Sequence, residues 1–203
     1  MILDIVREIS AAYEAIDRKS VLVKLSSGIR CPVGCGLCCE STAVEATVSE
    51  VLPLALELYS RRRAEAVHRA IEEKELRNDP VCLFYRPQGN EKPRQKAGAC
   101  SIYPFRPLVC RLFGFSARRD RHGHLEFCPC REMKRIDPEG VWLAVKAIEA
   151  GMAVAVYQDS FIQVASLAPS IGYKRLPINL AIKHALEYLY WKKPGGTRLR
   201  KAA

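Results

Sequence analysis

The sequence predicts a mainly α protein in which helices from both termini pack around an irregular, cysteine-rich middle. Apolar residues recur at helical spacing towards both ends of the chain, whereas residues 78–135 show little periodicity. No run of alternating apolar residues indicates strands. The chain has 203 residues, of which 49% are hydrophobic and 27% are charged. This size and balance suit one folded unit, and we expect a single domain over residues 1–203.

The N-terminal part contains two helical stretches. Residues 2–18 place their apolar side chains on one face of a helix, and residues 48–77 resume the same periodicity. Pro53 suits the first turn of a helix that starts near Ser49. The run Arg61-Arg62-Arg63 is expected to divide the second stretch into two helices.

The C-terminal part, residues 137–193, is also predicted to be helical. Asp137 and Pro138 indicate a helix start, because Asp is a good N-cap and Pro is favoured at the first helical position. A further helix is predicted over residues 177–191. Residues 194–203 have no apolar face and are expected to form a flexible basic tail.

The sequence predicts a cytoplasmic protein with no membrane span. No apolar run approaches the length that crosses a bilayer. Asp4, Arg7 and Glu8 interrupt the N-terminal segment, where a signal peptide would need an apolar stretch. Because the cytoplasm keeps thiols reduced, clustered cysteines there indicate metal ligation rather than disulfides.

The nine cysteines define a cysteine cluster core over residues 28–132. Four of them fall within nine residues, in the stretch CPVGCGLCC: Cys31, Cys35, Cys38 and Cys39. A C-x-x-C spacing such as that of Cys35 and Cys38 is typical of zinc and iron–sulfur sites. The other five must be brought to this group by the fold: Cys82, Cys100, Cys110, Cys128 and Cys130. Since metal ligation can order a long segment without periodicity, we expect a metal-binding middle.

The stretches CPVGCGLCC and CSIYPFRPLVCRLF resemble the YkgJ-type cysteine cluster family, also called the zinc- or iron-chelating CxxCxxCC domain. The resemblance covers about residues 28–132. Three residues separate Cys31 from Cys35 where the family name has two, and both Cys128 and Cys130 compete for the last cysteine position. With Cys128 taken for that position, the expected metal ligands are Cys31, Cys35, Cys38, Cys39, Cys82, Cys100, Cys110 and Cys128.

The resemblance implies metal binding, and we expect an iron–sulfur cluster, of the 4Fe–4S type, with zinc as the alternative. Thiolates bind both, but zinc would be structural, whereas an iron–sulfur cluster could carry electrons. Three residues of the long motif are expected to support the ligands. Arg106 and Arg111 would donate N–H groups to sulfur, and Tyr103 would pack on the cysteine loop with its hydroxyl bonded to the backbone.

The charge distribution leaves two functions open. Residues 86–135 hold 12 Lys and Arg against 4 Asp and Glu, a net charge of +8 out of +10 for the chain. This charge would offset metal-bound thiolates, or it would attract nucleic acid. We expect an iron–sulfur protein with a redox role, either an oxidoreductase or a carrier that serves an unidentified redox partner or substrate. The alternative is a structural zinc module that binds RNA or DNA through its basic surface, which we do not favour.

Overall fold

Helices account for most of the computed structural model, which describes residues 2–32, 34–88 and 97–192 and is 62% helical. The α-helices in these ranges are α1 (Ile2–Ser27), α2 (Leu37–Glu40), α3 (Val48–Ser60), α4 (Ala64–Leu76), α5 (Leu108–Leu112), α6 (Arg131–Ile136), α7 (Pro138–Glu149), α8 (Tyr157–Ser166), α9 (Pro169–Gly172) and α10 (Ile178–Lys192). The strands are β1 (Glu45–Thr47), β2 (Tyr85–Gln88), β3 (Ala97–Cys100), β4 (Ser116–Arg119), β5 (Leu125–Phe127), β6 (Ala155–Val156) and β7 (Arg175–Pro177). The predicted mainly α fold is confirmed.

Local sequence signals explain where the predicted helices begin and end. Thr47 caps α3 in a capping box, in which its hydroxyl accepts from the N–H of Glu50 and the Glu50 carboxylate accepts from the N–H of Thr47. The expected break falls between α3 and α4, where Arg62 has a positive φ of 56°. Asp137 caps α7 by accepting from the N–H of Gly140 at 2.8 Å, and Pro138 is its first residue.

The main hydrophobic core is formed by α1, α3, α4 and α10. Ile9, Leu52, Ile71 and Leu186, one from each of these helices, are at most 1% exposed. Full burial of such side chains stabilises each by roughly 1.5–3 kcal/mol relative to exposure. Leu108 and Leu112 of α5 belong to this core, so the cysteine-rich middle is attached directly to the helical frame.

A second core explains why α1 is longer than predicted. The predicted helix ends at residue 18, but α1 continues to Ser27 and places Val23 in a cluster with Phe115, Phe127 and Ile148. Val23 is fully buried there. The end of α1 therefore packs on strands of the middle segment and on α7, which local periodicity does not reveal.

The middle is less irregular than predicted, because short strands organise it. β2 and β3 pair antiparallel, with Tyr85 opposite Cys100. β4 lies between β5, with which it pairs antiparallel, and β6, with which it pairs parallel. β1 pairs with β7. No helix within the described ranges is long and apolar enough to cross a membrane. The predicted tail, residues 194–203, lies outside the described residues.

Candidate metal centre

The loop that carries the first cysteines lies directly against β3. The N–H of Gly36 donates to the carbonyl of Gly98 at 3.0 Å, and the N–H of Gly98 donates to the carbonyl of Gly34 at 2.6 Å. A Cβ on Gly36 would lie 2.8 Å from the carbonyl carbon of Gly98, so only glycine allows this approach. The Tyr85 hydroxyl donates to Glu40 at 2.7 Å and ties β2 to α2. Close backbone contact therefore brings the clustered cysteines to the β2–β3 hairpin.

Three thiols lie near one another where α2 faces the end of β3. The sulfurs of Cys38 and Cys39 are 4.0 Å apart, and the Cys39 thiol also interacts with that of Cys100. Hydrogen bonding from Cys39 lowers the pKa of Cys38 to about 6 and that of Cys100 to about 7. The same hydrogen bonds raise the pKa of Cys39. Cys38 and Cys100 therefore lose their protons more readily than ordinary thiols, and the thiolate is the form that binds metals.

Arg106 lies beside these thiols in a fixed position. Its guanidinium donates to the carbonyl of Tyr103 at 2.9 Å and to that of Cys110 at 3.4 Å. It also covers the Tyr103 ring, 3.5 Å from the ring centroid. After the hydrogen bonds from Cys39, the positive charge of Arg106 is a further cause that lowers the pKa of Cys38 and Cys100. Arg106 is therefore placed to stabilise negative charge on sulfur.

Cys82 and Cys110 lie on the more buried side of this group. Burial raises the pKa of both thiols. The Cys110 thiol also interacts electrostatically with those of Cys82, Cys38 and Cys100. The fold thus brings together five cysteines that span residues 38–110.

Cys31 connects the remaining cysteines to this group. Burial, and after it the neighbouring thiols of Cys35, Cys38 and Cys130, raise its pKa to about 11. Cys130, the N-cap of α6, accepts from the N–H of Met133 at 3.4 Å. Cys128, by contrast, directs its thiol to the carbonyl of Glu126 at 3.4 Å. Of the two candidates for the late position, Cys130 is therefore the one whose thiol acts electrostatically on Cys31.

The cysteine segment matches a known family over nearly its whole length. Residues 30–129 match the family CxxCxxCC, whose description is "Putative zinc- or iron-chelating domain". Residues 30–129 belong to the CxxCxxCC family. The family resemblance noted in the sequence is confirmed, and the CxxCxxCC domain contains every cysteine except Cys130. No curated protein and no solved structure matches the chain.

The donor chemistry of the CxxCxxCC domain fits zinc or iron. Its clustered side chains are thiols, and the two with a lowered pKa, Cys38 and Cys100, supply the soft thiolate ligands that both metals take. In the side-chain positions described, no three His, Cys, Asp or Glu residues are grouped closely enough to hold an ion. Ligation therefore requires rotation of cysteine side chains within the neighbourhood that the backbone has already set.

The two other motif residues have contacts different from those expected. Arg111 is buried and donates to Asp17, to the carbonyl of Pro104 and to that of Arg106, all oxygen atoms. Its charge still interacts with the Cys110 thiol. Tyr103 is 52% exposed and stacks on Arg106 rather than packing under the cysteine loop.

Sequence reasoning missed one residue that positions the centre. Glu50 is 3% exposed, and its carboxylate accepts from the backbone N–H of Val109 at 3.3 Å and of Thr47 at 3.2 Å. Burial raises its pKa. The T-x-x-E spacing could have revealed the contact with Thr47. The contact with Val109, which precedes Cys110, depends on the fold.

Proposed function

We propose that the CxxCxxCC domain binds an iron–sulfur cluster, of the 4Fe–4S type, and that the protein uses it in the cytoplasm for redox chemistry with a partner or substrate. Such clusters are held by Cys thiolates and supply one-electron transfer. The nearest ligands would be Cys38, Cys39, Cys100 and Cys110, which interact with one another. The surrounding thiols would be Cys31, Cys35, Cys82 and Cys130, with Cys130 in the place expected for Cys128.

The position of Arg106 carries this proposal. Its guanidinium is fixed by Tyr103 and by the Cys110 carbonyl, and its charge acts on Cys38 and Cys100. A redox centre becomes more negative when it gains an electron, and a nearby fixed cation stabilises that state. A structural zinc ion undergoes no such change of charge. The arrangement therefore suits a redox centre better than a purely structural one.

The basic middle gives less support to nucleic-acid binding. Arg118 pairs with Glu126 at 2.7 Å, and Arg119 pairs with Asp159 at 2.9 Å. Arg106 and Arg111 are engaged at the cysteine centre. Much of the positive charge is thus directed to carboxylates or thiols of the same chain, and we do not propose an RNA- or DNA-binding function.

Anaerobic purification tests the proposed cofactor. We expect a brown protein with broad visible absorption from thiolate-to-iron charge transfer, and iron and acid-labile sulfide in equal amounts. Dithionite should bleach the visible absorption, and a mild oxidant should restore it. A colourless protein that contains stoichiometric zinc and no iron would overturn the iron–sulfur proposal while preserving metal binding.

A further inference from the structure

A cavity of about 500 Å³ lies against the cysteine centre, within the size range of small-molecule sites. Its apolar wall includes Leu112 and Phe113 at the end of α5, and Tyr157 of α8. Cys130 lines the same cavity and interacts with Cys31. One side of the cavity is therefore bordered by a cysteine of the proposed metal centre.

The polar groups of the cavity include the hydroxyl of a serine. Ser116, at the start of β4, lines the cavity and is 6% exposed. Its hydroxyl forms no hydrogen bond with any part of the chain that the structure describes. The hydroxyl can donate and accept, so a polar group of a ligand could replace water at this position.

The charge of the cavity selects for anions. No Asp or Glu is among its lining residues, whereas Arg118 and Arg131 both are. Arg118 is paired with Glu126 at 2.7 Å. Arg131 has no ion pair with the described residues and lies at the rim. Its guanidinium is therefore available to a carboxylate or a similar oxyanion.

We propose that this cavity binds a small organic anion with an apolar body, whose charged group meets Arg131 and whose polar group meets the Ser116 hydroxyl. The apolar body packs on Leu112, Phe113 and Tyr157. The role of this ligand as substrate or redox partner rests on the proposed function, because it follows from the position of Cys130, a proposed ligand, on the cavity wall. Binding itself does not depend on which metal is present.

A matched pair of fluorescent probes tests the site. Anilinonaphthalene sulfonate is an anion with an apolar aromatic body, and phenylnaphthylamine has the same body without the charge. We expect the anaerobically purified full chain to bind the sulfonate saturably, with about one probe per chain. Phe113→Ala should weaken the binding of both probes, since it removes part of the apolar wall.

Charge variants separate this cavity from general surface binding. Arg131→Gln should weaken binding of the sulfonate about fivefold, as expected for loss of one exposed charge contact. Binding of phenylnaphthylamine should be unchanged. Ser116→Ala should weaken binding of the sulfonate a few-fold. Two control variants should leave the binding of both probes unchanged. They are Arg135→Gln, on the same helix but outside the cavity, and Trp142→Ala, an exposed aromatic elsewhere.

The proposal is overturned if the wild-type chain shows no saturable sulfonate binding, or if Arg131→Gln and Arg135→Gln have equal effects. Iron and zinc are measured in the same samples. If the protein contains metal but does not bind the sulfonate, the proposed anion site is wrong and the proposed metal centre stands. If the protein contains no metal but the variants change probe binding as expected, the anion site stands and the proposed redox function is wrong.

Discussion

Asp17 of α1 forms an ion pair with Arg111 of α5, although 93 residues separate them in the sequence. The Arg111 side chain is 7% exposed and lies over the ring of Tyr13, 4.4 Å from its centroid. It also donates to the carbonyl of Arg106 at 2.7 Å. α1 lies outside the CxxCxxCC domain, yet it supplies the countercharge for a residue that supports the cysteine segment.

Asp17→Asn should destabilise the protein by about 1–2 kcal/mol. The change leaves a buried guanidinium without its countercharge, but the Asp17 side chain is 44% exposed, so water lessens the cost. Urea unfolding measures this loss. Glu14→Gln, an exposed change on the same helix, is the control and should lie within about 0.5 kcal/mol of wild type. Equal losses in the two variants would show that the ion pair adds nothing.

Glu50→Gln should lower the free energy of unfolding by about 1–3 kcal/mol. The two carboxylate oxygens of Glu50 accept from Thr47 and Val109, whereas an amide offers one oxygen and turns an N–H₂ group towards the other donor. Calorimetric or urea unfolding should detect the loss, and metal content should fall because Val109 precedes Cys110. Glu45→Gln, at an exposed carboxylate of β1, is the control.

The Glu50 effect should also depend on pH. Because burial raises its pKa in the folded state, this carboxyl favours folding more as the pH falls through that raised value towards the ordinary pKa of Glu. The stability difference between wild type and Glu50→Gln should therefore widen over that interval and become constant below it. A difference that narrows as the pH falls would contradict a raised pKa.

Helices were predictable from the sequence because their signals are local. Asp137 and Pro138 mark the start of α7 by themselves, and the break before α4 follows from a run of three arginines. Strands of two to four residues are too short to show periodicity, so the β2–β3 hairpin escaped prediction. The extension of α1 escaped as well, since it is stabilised by packing on distant residues.

The cysteine motif identified the site but could not fix its contacts. Spacing located the thiols of residues 31–39, because consecutive turns keep them close. It could not separate Cys128 from Cys130, since one residue lies between them and only the fold sets which thiol faces Cys31. Nor could it predict that Arg111 pairs with Asp17, a contact between separate helices.

Cys130→Ser should lower metal content more than Cys128→Ser. The Cys130 thiol interacts with Cys31, whereas the Cys128 thiol donates to the carbonyl of Glu126. Serine is the suitable replacement at residue 130, because its hydroxyl can still cap α6 while the thiolate is lost. Metal per chain is measured after gel filtration, with Cys38→Ser as the reference for loss of a central ligand. Greater loss in Cys128→Ser would return the late position to Cys128.

Arg106→Gln should lower the reduction potential of the centre and speed metal loss to a chelator about fivefold. The variant removes the fixed cation that stabilises negative charge on Cys38 and Cys100. Arg106→Lys keeps the charge but loses the planar stacking on Tyr103, so it should fall between wild type and Arg106→Gln. Arg121→Gln, in an exposed turn where the guanidinium donates to the His122 ring, is the matched control. Potentiometric titration and chelator kinetics give both quantities from one preparation. If Arg106→Gln and Arg121→Gln have the same potential and the same rate of metal loss, the guanidinium does not tune the centre, and the redox proposal loses its main support.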